Sequence, residues 1–287
     1  KRLRRYTIRC NNSLTLPTFF ENRFHDKKRV LLLISSIVIV IFFLVYTASA
    51  LAAGGKLFNA VFGIDYRVAL AIGAAVILIY TFMGGFLAVC TTDFVQGMLM
   101  LVGLLAVPLI ALGIIGPENL NSNLEATGVN AANYLNIFTN GDTGEFSIIE
   151  IISQLAWGLG YMGMPHILVR FMAVRNEKEL DKSKVVAIVW VTLSLVFAVV
   201  IGVVGRAYLS PVLTDGAEEN VFIEMIQQIF TKDLNLALVG GLFLCGVLAA
   251  IMSTADSQLL VSASSVSEDI YRGILYKDAD DKTVLRV

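Results

Sequence analysis

Charge is scarce in this chain. Asp, Glu, Lys and Arg make up 16% of its 287 residues, where a soluble domain carries about 25%. The two signs nearly cancel, with 23 acids against 22 bases, which excludes a nucleic-acid binder working through bulk positive charge. Histidine and cysteine are scarcer still. His25 and His166 cannot assemble a histidine-rich metal centre. Cys10, Cys90 and Cys245 form no even framework, and the last two sit within or beside apolar runs, so neither a disulfide scaffold nor a thiolate site is expected. What fills the chain instead is apolar: 56% hydrophobic residues and a mean hydropathy of +0.75. That excludes a disordered chain and leaves little room for a soluble enzyme. The composition is that of an all-α polytopic membrane protein.

A hydrocarbon core about 30 Å thick needs about 20 apolar residues of helix. Runs of that kind predict six spans, at 29–58, 66–83, 93–115, 147–171, 185–206 and 236–266. They are continuous rather than alternating and too long for barrel strands. The first is long enough to tilt or project. Met83-Gly84-Gly85-Phe86 predicts a tight turn between the second and third; it lacks the context and the Lys of a phosphate loop. Two polar connections, 116–146 and 207–235, separate the later spans, and Val221–Phe230 within the second reads as an amphipathic surface helix. Of the 22 Lys and Arg, nine lie in 1–29, five in 170–184 and four in 266–287. By the positive-inside rule both ends of the chain are expected in the cytoplasm and the two long connections outside. The chain begins with Lys in a basic, loop-like stretch with no apolar signal segment behind it. It is expected to be one transmembrane domain, 1–287, excerpted from a longer protein.

Two spans carry more than lipid contact requires. The fourth contains Trp157-Gly158-Leu159-Gly160-Tyr161-Met162-Gly163-Met164-Pro165. Each glycine weakens a helix by roughly 1 kcal/mol relative to Ala, and proline removes a donor and clashes with the preceding turn. An unwound segment is predicted, of the kind that forms substrate sites in secondary transporters. Trp157 and Tyr161 share a face at helical spacing and are candidates to line it. The sixth span carries Ala250, Ser253 and Thr254, which places two hydroxyls over one backbone carbonyl. They either ligate a monovalent cation or simply bond the i−3 and i−4 carbonyl of a small-residue packing face. Asp93 and Asp256 are acids near span ends, costly unless hydrated or paired with a base; for Asp93 a helix N-cap is the simplest account. His166 reads as a satisfied structural residue. No arrangement here orients a base or supplies an oxyanion site, so an intramembrane enzyme is not expected.

Residues 154–176 (QLAWGLGYMGMPHILVRFMAVRN), the turn Gly84–Val89 followed by Thr92-Asp93-Phe94-Val95-Gln96, and Ala249–Ser257 resemble the sodium:solute symporters over essentially the whole chain, in particular their proline-carrying members. The resemblance implies a LeuT-type inverted-repeat transporter core in part, with the six spans as core helices three to eight. It implies sodium-coupled import of a small solute, L-proline, across the plasma membrane, with Na⁺ co-transported and no obligate protein partner. It also implies sodium ligation by Ala250, Ser253 and Thr254, and proline binding by Trp157, Tyr161, Pro165 and Tyr46. Asp93 is implied in sodium-dependent transport, and Gly158, Gly160 and Gly163 in the broken helix. Symport of another solute, or a sensory domain of the same fold, are the alternatives.

Overall fold

A computed structural model describes residues 1–139, 144–214 and 216–287, with the side chains at positions 80, 83, 84 and 88 left aside. Two short helices, α1 (Arg2–Arg9) and α2 (Leu16–Phe24), precede the first span. α2 starts where Thr15 accepts from the Thr18 amide at 3.2 Å and Pro17 fills a position that needs no donor. α3 (Val30–Phe62) is the first span, 33 residues or about 50 Å of helix, ending at Gly63 in the left-handed region, φ +64°.

α4 (Tyr66–Ile115) contains both the second and third predicted spans, joined at a kink where Gly85 takes φ +59° and ψ −168°. Only glycine enters that region without strain. The predicted turn is thus a break within one 50-residue element, not a separate loop. Beyond it come the short α5 (Leu120–Ala126) and α6 (Ala131–Tyr134), then α7 (Ile148–Tyr161), α8 (Pro165–Ala173), α9 (Glu179–Tyr208), α10 (Val221–Gln227), α11 (Ala237–Ser264) and α12 (Asp281–Val284). π-helical turns extend α10 over Gln228–Asp233 and α11 over Ser265–Leu275. Among the described residues the β-structure is a single isolated bridge, Thr139 to Glu145.

Four helical stretches are long and apolar enough to cross a membrane alone: Val30–Phe62, Gly85–Ile115, Glu179–Tyr208 and Ala237–Leu275. The other two predicted spans are the shorter apolar part of α4 before the kink, Tyr66–Ile79, and the broken pair α7–α8. The molecule is a multi-pass membrane protein. α11 packs against both α3 and α4. Gly246 brings it close enough to α4 that a Cβ there would lie 3.4 Å from the Leu99 carbonyl, the approach that small residues permit between membrane helices.

One expectation is corrected here. Val221–Phe230 does not lie on the surface: Met225, Ile226 and Ile229 have no exposure and Phe230 has 2%. They form a core cluster with Val107 and Ala111 of α4, Ile201 and Val204 of α9, and Phe243 of α11. An amphipathic helix seeks the driest apolar surface within reach, and the open end of the bundle offers more than an interface does.

The two ends of the bundle differ. At one end the three basic segments meet: Lys1 pairs with Asp181, Arg5 with Glu177, Arg29 with Glu21 and Arg272 with Asp281. At the other, Lys56 pairs with Glu219 and Arg206 lies over the Tyr134 ring, 5.2 Å from its centroid.

Candidate functional site

The fourth span is broken. Ser147 and Glu150 close a capping box that starts α7, Glu150 N to Ser147 Oγ 3.2 Å and Ser147 N to Glu150 Oε2 2.7 Å. The helix runs through Gly158 and Gly160 and stops after Tyr161. The amides of Met162, Gly163 and Met164 then turn back to carbonyls three residues earlier, at 3.3, 3.1 and 3.4 Å, and Met164 is extended, φ −64°, ψ 114°. Pro165 opens α8 as its first residue. The break therefore lies beyond two of the three glycines. Glycine only lowers helix stability, whereas proline excludes its predecessor from the helical region. Gly158 and Gly160 are helical residues with nothing within 4 Å of an added Cβ, and Gly163 alone sits in the unwound stretch.

Three of the predicted solute-binding residues converge just before the break. The rings of Trp157 and Tyr161 meet edge to face, centroids 4.8 Å apart, and Tyr46 on α3 hydrogen-bonds with Tyr161. All three remain partly open, so their rings can accept a flat apolar ligand while the two hydroxyls bind its polar end. Pro165 lies at the far side of the break and acts through the backbone that it interrupts.

On α11, Ser253 Oγ donates to the Ala250 carbonyl at 3.1 Å and Thr254 Oγ1 donates to the same oxygen at 3.0 Å. The three predicted ion ligands are together, in the back-bonded arrangement. Both hydroxyl oxygens keep lone pairs for a cation; the carbonyl joins them once its two donors rotate away. Three neutral oxygens suit a hard monovalent ion rather than a divalent one, which calls for carboxylates.

One turn further along α11 lies a charged cluster. Asp93 does not cap a helix: it is inside α4, past the kink at Gly85. Its Oδ2 accepts from the Arg170 guanidinium of α8 and from Ser257 Oγ of α11 at 3.1 Å. Arg170 also donates to Ser257 Oγ at 2.6 Å, and Ser257 lies 3.3 Å from Asp256 Oδ1. Asp256 has no exposure. Arg170 and Ser257 were not singled out from the sequence. The signal was there: Arg170 is the single basic residue between Arg67 and Arg175, and an intramembrane acid needs such a partner. His166 departs from expectation too. Its Nδ1 is buried without a hydrogen-bond partner, and its ring packs edge-on against Phe43 at 5.5 Å.

A cavity of about 490 Å³ opens on the basic end, with Arg4, Cys90, His166, Arg170, Ser257 and Ser265 in its wall. It reaches the charged cluster from that end of the molecule.

The sodium:solute symporter family model matches residues 2–287. The chain belongs to the sodium:solute symporter family. Its fold class is accordingly the LeuT-type inverted repeat. It is 41% identical over 286 residues to the "Osmoregulated proline transporter OpuE" of Bacillus subtilis (strain 168), covering 100% of this chain and 56% of that protein. It is 43% identical over 275 residues to a "Sodium/proline symporter" of Staphylococcus aureus, covering 94% of this chain and 51% of that protein. The chain spans about half the length of the curated relatives it matches.

Proposed function

We propose that this chain is core helices three to eight of a sodium-coupled importer of L-proline in the plasma membrane. What carries the reading is identity above two-fifths, over nearly all of the chain, to relatives named for proline transport. The geometry supports it: an aromatic cluster at a helix break, three oxygens on α11, and an ion pair linking α4, α8 and α11. The basic end, with both chain ends, faces the cytoplasm by the positive-inside rule.

In the mechanism proposed, Na⁺ enters from outside and takes lone pairs from Ser253, Thr254 and the Ala250 carbonyl. Ser257 lies three residues beyond Thr254 on the same helix, so the ordering of that turn is felt at Asp93 and Arg170. Proline then binds among Tyr46, Trp157 and Tyr161, its ring on the aromatics and its charged groups toward the hydroxyls and the unwound backbone. Closure above and opening below release both to the cytoplasm. A positive charge moving inward across 100 mV supplies about 2.3 kcal/mol to the cycle, and linkage requires proline to raise sodium affinity by the factor that sodium raises proline affinity.

The test is radiolabelled proline uptake by the full-length protein in vesicles, with and without an inward Na⁺ gradient. Accumulation that needs the gradient is expected. Uptake at the same rate without sodium refutes the coupling, and absence of proline uptake under every gradient refutes the solute.

A further inference from the structure

Residues 1–29 reach two different parts of the molecule. α1 packs against α8, and its side chains cross to the segment that follows: Lys1 Nζ lies 2.6 Å from Asp181, and Arg5 grips Glu177 at two points, 3.2 and 2.8 Å. α2 packs chiefly on α3, touching α8 only at its edge. Its N-terminus is fastened to the π-helical end of α11. There Asp269, with no exposure, accepts from the Thr15 hydroxyl and from Thr18 Oγ1 at 2.8 Å. Thr15 is the N-cap of α2, so the carboxylate sits where unpaired N–H groups and the helix dipole favour an anion. Beyond the other end of α2, Arg29 pairs with Glu21 and donates to the Gly273 carbonyl of the same π-helical segment. α2 is thus held at both ends to α3 and α11.

Between the two helices the backbone turns through Asn11 and Asn12, both left-handed at φ +57° and +48°, a conformation that asparagine tolerates better than most residues. The contacts across this joint are adjustable ones: Asn22 Nδ2 to the Cys10 carbonyl at 3.2 Å, and Arg23 over the Tyr6 ring at 4.8 Å.

We propose that α1 travels with α8 and α9 while α2 stays with α3 and α11, and that the Asn11–Asn12 joint takes up the displacement between them during transport. The inference rests on the alternating-access reading above. Asp269 is the positioning residue that keeps α2 on its side of the joint.

The experiment uses full-length protein, its native cysteines replaced, in proteoliposomes that are also assayed for sodium-driven proline uptake. Three spin-label pairs are placed on exposed positions, Arg2→Cys with Lys182→Cys, Lys27→Cys with Lys277→Cys, and Arg2→Cys with Lys27→Cys. On adding Na⁺ and proline, the first two distances are expected to hold and the third to shift by several ångströms. A shift in the first pair with the third fixed overturns the proposal, as does constancy of all three in protein that transports. Loss of sodium dependence in the unlabelled parent refutes the transport reading instead. Asp269→Asn, or the milder Thr18→Val, is expected to broaden the Lys27–Lys277 distribution; an unchanged distribution in both removes Asp269 as the anchor.

Discussion

Asp93 and Arg170 stand 77 positions apart and share a hydrogen bond inside the bundle, with the Ser257 hydroxyl touching both. The carboxylate is 11% exposed and the guanidinium 39%, so water screens the pair in part. Breaking a fully buried pair costs about 3–5 kcal/mol, and partial exposure brings the expectation here to about 1–2 kcal/mol. Asp93→Asn and Arg170→Gln are each expected to lower thermal stability in detergent and slow uptake, with the double variant little worse than either. A double-mutant cycle checks this; additive losses count against the pair.

At the ion site, Thr254→Ala and Ser253→Ala each remove one oxygen from the Ala250 carbonyl. Sodium half-activation of uptake is expected to rise about tenfold for each, about 1.4 kcal/mol of affinity, with the proline KM near its original value at saturating sodium. Sodium titration of initial rates decides it. An unchanged half-activation in both variants means that these hydroxyls serve the helix alone.

The aromatic pair predicts a separation of ring from hydroxyl. Tyr161→Phe keeps the edge-to-face contact with Trp157 and loses the bond to Tyr46. Trp157→Ala loses the contact itself, worth about 0.5–1.5 kcal/mol. Proline KM is expected to rise about two- to tenfold in Trp157→Ala at unchanged sodium half-activation. If proline competition curves superimpose for all three proteins, the solute binds elsewhere.

Packing offers a test independent of transport. A Cβ at Gly205 would lie 2.5 Å from Val221 Cγ2 and 3.0 Å from Met225 Sδ, whereas at Gly202 nothing stands within 4 Å. Gly205→Ala is expected to cost about 1–3 kcal/mol by overpacking the contact of α9 with α10. Gly202→Ala is expected to be neutral or stabilising by up to about 1 kcal/mol. Thermal melts of the two proteins in one detergent should separate clearly; equal melting points contradict the burial of α10.

Acid should loosen α1. The hydrogen bond from Arg5 holds the Glu177 carboxyl below the ordinary glutamate range. A depressed carboxyl stabilises at pH above its unfolded value, about 4.3, and that contribution fades as pH falls through the folded value. A spin label at Arg2→Cys is therefore expected to stay immobile from neutral pH to about 5 and to gain mobility only below about 4.3. In Glu177→Gln the label should be mobile throughout. An unaltered titration in that variant would assign the change to another group.

Much of the bundle was legible because it depends on local composition. Apolar runs set the spans, and the breaks follow backbone rules at single residues, Gly85 and Pro165. The clustering of Ala250, Ser253 and Thr254 is helix geometry and needed no tertiary information. What the sequence withheld depends on distance along the chain. Nothing near Asp93 names Arg170 as its partner. The apolar face of residues 221–230 has the same pattern whether it meets lipid or core, and only the open bundle end decides. The exact place of the break was obscured because glycine weakens a helix without ending it. Asp269 gave no signal either, since its hydrogen-bond partners arrive from the far end of the sequence.

The break at Met162–Met164 makes α8 a short lever. Arg170 lies about 9 Å along the helix axis from Pro165 at 1.5 Å per residue. A tilt of about 20° about the break then swings its guanidinium by about 3 Å, the length of one hydrogen bond. Trp157 and Tyr161, on the other side of the fulcrum, need not move. Disengaging Arg170 from Asp93 and widening the cavity on the basic end are then one rotation, and the aromatic cluster can hold its ligand until that rotation begins.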